Sequence, residues 1–253
     1  MLNGREEKTK SHDESFEIIL NCCPMKTRLF STNLLVILLS MFPVASFAQT
    51  RLVKNLQAGK PQILVVYGTS LTAGAGGHAW VDAVAADLNG KYHNNLTVYN
   101  AAKSAMWSTW GVQHLEDSVI SKKPDAVLIE FSMNDAFLSY KTSRELAELN
   151  LNYMIDRIKL FNPDCEIILQ TMDIALDKHA ADRPELNSYY DLYRQIAKKR
   201  KLLLIDHYPH WKAILDNGKE EYLKYVPDGL HPDPDGASKI IAPYVVEKLV
   251  EGK

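Results

Sequence analysis

Short apolar runs alternate with amphipathic stretches along most of the chain. Residues 62–67 (QILVVY) form a compact, β-branched run, the pattern of a strand buried on both faces, and Gly68 ends it. Trp80, Val81, Val84, Ala85 and Leu88 then recur at helical spacing and lead to a second strand over 96–99. A helix over 112–120 precedes a strand over 126–131. A long amphipathic stretch, 143–161, precedes a strand over 166–172, and a helix over 188–200 precedes the last strand, 202–205. A final helix over 237–250 is expected to open after Asp235 and Gly236, with its N-cap there. Strands separated by helices build βαβ units, so this order predicts an α/β fold: a three-layer α/β/α sandwich around about five parallel strands. The only longer irregular segment is 173–185, and no repeat or linker divides residues 49–253, which read as one domain.

Residues 1–48 stand apart from this pattern. From Met25 the chain shows a basic start (Lys26, Arg28), an apolar run around 34–39 and small residues at Ser46 and Ala48, the layout of a secretory signal with cleavage after Ala48. The apolar run is shorter than the roughly 20 residues a spanning helix needs, and Pro43 interrupts it, so no stable membrane insertion is expected after cleavage. The segment before Met25 is polar and charged, which makes Met25 a candidate translation start. The expected product is exported, periplasmic or secreted, and Cys165 is its one remaining cysteine, so no intrachain disulfide is expected.

Composition adds two exclusions. With 46% hydrophobic and 24% charged residues the chain is of the globular class rather than disordered. A net charge of −2 argues against a nucleic-acid partner, and the basic cluster 198–201 complements the C-terminal dipole of a helix.

In open α/β sheets the functional crevice lies beyond the carboxyl ends of the strands. Those positions hold Ser70 after the first strand, residues 100–105 after the second, and Asn134 after the third; Asp228 and His231 come near the C-terminus. A serine hydroxyl needs a base to take its proton, and a strand-to-helix turn can expose it. Asp228, three residues before His231, can hold one imidazole nitrogen and leave the other for Ser70. Asn134 can bond a developing oxyanion, with the backbone N–H groups of Ser70 and Ala105 completing the hole. Each residue also has an ordinary structural use: Ser70 and Asn134 as caps, Asp228 to Pro232 as a surface turn. His207 and His210, beside Asp206, are rivals for the base or could line the cleft, without a diagnostic metal spacing; Asp233 and Asp235 read as turn and cap residues rather than calcium ligands, so no metal or cofactor is expected.

Taken together, Gly68-Thr69-Ser70-Leu71, residues 100–105, Ser132-Met133-Asn134-Asp135 and Asp228-x-x-His231 resemble, in order, the four sequence blocks of the SGNH/GDSL hydrolase superfamily. The resemblance implies a flavodoxin-like sheet, metal-independent ester hydrolysis, an open site, Ser70 as nucleophile, Asp228 and His231 as its partners, and Asn134 with Ala105 in the oxyanion hole. Thr69, Ala105 and Ser132 depart from the usual aspartate and two glycines of these blocks. Ala105 keeps a backbone N–H, and its role survives if the backbone there needs no positive φ.

Trp80, Trp107 and Trp110 follow the first two blocks and could offer aromatic faces to sugar rings or simply pack. With Thr69 and His207 beside the site, the expected substrate is a small-molecule or polysaccharide ester, with O-deacetylation of a carbohydrate in first place. A lysophospholipase or acyl thioesterase acting on longer chains, and a catalytically silent glycan-binding homologue, are the alternatives.

Overall fold

The computed structural model describes residues 49–252. Five strands, β1 (Gln62–Gly68), β2 (Leu96–Asn100), β3 (Ala126–Glu130), β4 (Glu166–Thr171) and β5 (Leu203–Asp206), pair in parallel in the order β2-β1-β3-β4-β5. Each lies within a residue or two of its expected position. The central strands are apolar because helices cover both faces: every residue of β3 is buried, whereas the edge strand β2 alternates, with Thr97 and Tyr99 exposed.

The helices follow their apolar spacing. Arg144–Phe161 buries Ala147, Leu151, Met154, Ile155 and Ile158, and Ser143 caps it by accepting from Leu146 N–H. Ala75–Lys91 and Leu186–Arg200 also lie where expected.

Four features differ from expectation. The stretch over 112–120 is broken into Ser108–Gln113, Leu115–Ser118 and a 3₁₀ turn, with the His114 ring nitrogen Nδ1 against the Trp110 carbonyl at 3.0 Å where the first piece ends. The polar lead contains a helix, Arg51–Gln57, that buries Leu52, Val53 and Leu56. Tyr208–Asp216 and Lys219–Leu223 are further helices after β5. The last helix starts earlier than expected: Asp233 is its N-cap, accepting from Gly236 N–H at 2.7 Å, with Pro234 in the first turn. It passes through a π-turn at Ala237–Ile241 before continuing as Ala242–Glu251.

The chain runs from β1 outward to β2, then returns across the sheet to β3, so the connections diverge between β1 and β3. That switch point opens a crevice at the carboxyl ends of the strands.

Candidate active site

Ser70 and Asn134 flank this crevice, following β1 and β3. Gly68 ends β1 opposite Glu130, and a Cβ there would stand 2.5 Å from the Glu130 carbonyl oxygen, so only glycine allows the strands to approach this closely. Thr69 then caps the short Ser70–Ala73 helix, accepting from Leu71 N–H, and Ser70 emerges at its first position.

His231 arrives from the far end of the chain. The Asp228 Oδ1 accepts from the backbone N–H groups of Leu230 (2.9 Å) and His231 (2.7 Å), folding a tight turn. Its Oδ2 lies 2.7 Å from His231 Nδ1, and His231 Nε2 lies 3.0 Å from Ser70 Oγ. A carboxylate only accepts, so Nδ1 carries the proton and Nε2 is left to accept from the Ser70 hydroxyl. Partial burial works against the charge on Asp228, but the hydrogen bonds from His231 and Leu230 hold its carboxyl below the ordinary aspartate value. The turn is pressed against the helix that follows Ser70: a Cβ on Gly76 would come within 1.9 Å of the Pro232 carbonyl oxygen. This close approach ties two segments about 160 residues apart in sequence into one site.

The oxyanion candidates converge on the same place. Asn134 is 5% exposed, and its Nδ2 donates to the Met106 carbonyl at 2.8 Å, leaving the second amide N–H for another acceptor. Among the described residues the backbone N–H groups of Ser70 and Ala105 donate to no protein acceptor. Ala105 does occupy the left-handed region, with φ of 60°, so the condition of no positive φ is not met. Its backbone is held there from outside, because the Tyr140 hydroxyl donates to the Ala105 carbonyl at 2.8 Å.

The resulting cleft has a volume of about 680 Å³. Ser70, Ala105, Asn134, Asp228 and His231 all line it, together with Phe137, Tyr140 and Arg183. Those last three carry no motif; Arg183 sits in the segment expected to be irregular, which holds the short helix Asp177–Ala181.

Other expected contributors lie elsewhere. Thr69 is fully buried and faces Glu130, to which its hydroxyl donates at 2.9 Å, so it does not line the cleft. His207 is fully buried with neither ring nitrogen hydrogen-bonded among the described residues, packs its ring against Tyr244, and has its pKa pushed down to about 3 by burial. It contributes nothing to the cleft. His210 stands on the same Tyr244, and the carboxylate of Asp206 is taken up by Arg194 and Thr171. Trp80 is a core residue that donates to the Leu71 carbonyl. Trp110 packs between Tyr67 and His114, and Trp107 stacks on Tyr140 at 4.5 Å, backing a cleft residue rather than lining the cleft itself.

Glu130, missed in the sequence, lies beneath the Thr69–Ser70 turn. Its Oε2 accepts from both Thr69 N–H (3.1 Å) and the Thr69 hydroxyl, while Oε1 has no partner among the described residues. Burial pushes its pKa up to about 8, and burial likewise pushes Asp135 and Asp173 up to about 7. Between the ordinary glutamate value of 4.5 and about 8, the folded chain therefore keeps a proton that the unfolded chain has released. Stability from this group is complete below 4.5 and is lost as pH rises towards 8. Glu130→Gln mimics the protonated carboxyl: it should match the parent chain at pH ~5 and melt about 5–10 °C higher at pH ~9, measured by calorimetry. Equal melting temperatures at both pH values would refute the neutral buried carboxyl.

A family model for the GDSL-like lipase/acylhydrolase family matches residues 66–239. The chain belongs to this family. An arylesterase of Vibrio mimicus is 27% identical over 191 residues, covering 74% of this chain and 88% of that one. Among solved structures, a lipase/acylhydrolase from Enterococcus faecalis superposes with a TM-score of 0.64 at 24% identity, over 76% of this chain and 96% of that one. A catalytic mutant of an acetylxylan esterase from Geobacillus stearothermophilus gives a TM-score of 0.64 at 20% identity, over the same shares of the two chains. The structural likenesses carry the fold, and the family match with the arylesterase relative carries the activity class: this family member is a carboxylic ester hydrolase.

Proposed function

We propose that this hydrolase is an exported serine esterase that removes acetyl or similarly short acyl groups from a carbohydrate. The observation that carries it is the linked chain of Ser70 Oγ, His231 Nε2, His231 Nδ1 and Asp228 Oδ2, at 3.0 and 2.7 Å, with donors on Ser70, Ala105 and Asn134 around it. Ser70 Oγ attacks the ester carbonyl as His231 Nε2 takes its proton, and the three donors hold the oxyanion that forms. Collapse expels the alcohol, which leaves with the proton from His231. Water then adds to the acyl-Ser70, giving its proton to His231, and collapse returns Ser70 and the free acid. Asp228 keeps the imidazolium oriented throughout.

Three observations support a short acyl group on a sugar. The side chains of His231 and Asp228 are 42% and 50% exposed, so the site can admit an acyl group carried on a large alcohol. Phe137 and Tyr140 add aromatic surface to the cleft, of a kind that sugar rings pack against. A structural neighbour is described as an acetylxylan esterase. Export, with cleavage after Ala48, is part of the proposal and concerns residues outside those described; N-terminal sequencing of the processed protein should begin at Gln49.

The test is an acyl-chain series of p-nitrophenyl esters, run beside acetylated polysaccharides, lysolipids and acyl thioesters. Rates should peak at acetyl and fall towards octanoyl, with acetate released from polysaccharide. A maximum at long acyl chains would replace the carbohydrate ester with a lipid or thioester.

A further inference from the structure

Arg183 poses a problem that ester hydrolysis alone does not solve. Its guanidinium belongs to a residue only 6% exposed, yet among the described residues no carboxylate comes within 4.0 Å of it. Arginine stays protonated at any pH the protein survives, so this is a standing positive charge in a largely desolvated place, where cations are ordinarily paired. Burial works against the charge, as its lowered pKa reflects, and the nearest acids do not form an ion pair with it. Of these, the adjacent Asp182 does most to offset the charge through space, and Asp173, pushed up to about 7 by its own burial, does less.

What holds Arg183 is neutral. Nε donates to the Met133 carbonyl at 3.0 Å, Nη1 donates to the His179 carbonyl at 3.3 Å, and the guanidinium lies over the Phe137 ring at 4.7 Å. These contacts fix the plane of the fork without neutralising it. Among the described residues Nη2 donates to no protein acceptor, and the residue lines the same cleft as Ser70 and Asn134. A planar, preoriented guanidinium with Nη2 free fits a carboxylate, which it can meet through charge-assisted hydrogen bonds.

We propose that Arg183 binds a carboxylate on the substrate, so that the preferred esters are anionic: acylated acidic sugars or similar carboxylate-bearing esters. This rests on the serine esterase mechanism and adds a specificity-determining residue to it. A substrate carboxylate supplies the directly bonded counter-charge that the described residues lack, through charge-assisted hydrogen bonds at a largely buried group.

Two matched ester pairs test this, one for each side of the scissile bond. The first is 4-acetoxybenzoate against 4-acetoxybenzamide; the second is monophenyl adipate against the phenyl ester of adipamic acid. The parent enzyme should favour the anion of at least one pair by about ten- to a hundredfold in kcat/KM, a preference that shrinks with added salt. Arg183→Gln should bring that ratio to about one, and Arg183→Lys, which keeps the charge but loses the fork, should retain part of it. Because each ratio is taken within one variant, a general loss of folded enzyme cancels. No preference in either pair would overturn the proposal, as would an Arg183→Gln variant that slows both members of a pair equally, since Arg183 would then act only as a prop for the Met133 carbonyl. Failure of the esterase mechanism looks different: no ester would be cleaved and a fluorophosphonate would not label Ser70.

Discussion

Asp228→Asn should lower kcat by about four orders of magnitude while leaving the fold and the Ser70 turn in place. The Asp228 Oδ1 accepts from two backbone N–H groups, of Leu230 and His231, and an asparagine can keep both only by placing its carbonyl oxygen there. Its NH₂ group is then forced towards His231 Nδ1, where the carboxylate oxygen stood at 2.7 Å. Facing a donor, Nδ1 must become the acceptor, the ring proton moves to Nε2, and Nε2 can no longer take the proton of Ser70. Ser70→Ala should set the floor, at about a millionfold loss, with residual catalysis from the oxyanion donors. Steady-state rates on p-nitrophenyl acetate, with circular dichroism to verify folding, check both. An Asp228→Asn enzyme within tenfold of the parent would mean that the imidazole is oriented by something other than this carboxylate.

Residues whose role is set by local sequence were legible before the structure. The run Gln62 to Tyr67 could only be a strand covered on both faces, and the apolar positions of Arg144–Phe161 repeat at helical spacing behind a serine cap. Asp228 and His231 are three residues apart and meet within one turn, so their pairing was readable; the 3.0 Å approach of His231 to Ser70 depended on the resemblance to ordered family blocks. Side-chain direction in loops was not readable. Thr69 and His207 follow strand ends at the correct edge of the sheet, yet both turn inwards, one to Glu130 and the other to Tyr244. The start of the last helix was misplaced although its signal was present, since Asp233 followed by Pro234 is the ordinary cap and first-turn pair. Arg183, Tyr140 and Glu130 had no pattern to betray them, because each acquires its role only through packing against segments far away in the chain.

The proposed oxyanion hole separates a side chain that supplies a donor from one that merely allows it. Asn134→Ala removes an amide that is anchored to the Met106 carbonyl at 2.8 Å and so is already oriented before substrate arrives. Loss of such a donor should cost about 2.7–4 kcal/mol of transition-state stabilisation, or roughly a hundred- to a thousandfold in kcat, with KM little changed. Ala105→Gly is expected to do the opposite. The contribution at this position is a backbone N–H, which glycine keeps, and the Tyr140 hydroxyl still holds the carbonyl. Glycine adopts the φ of 60° found here without the clash that an alanine Cβ brings, so Ala105→Gly should leave kcat within about threefold and raise stability by up to about 1 kcal/mol. Rates and thermal melts of the two variants, measured side by side, decide it. If Asn134→Ala kept full activity, the oxyanion would have to be held by the two N–H groups alone; if Ala105→Gly lost a hundredfold, the methyl group would be part of the site rather than a tolerated strain within it.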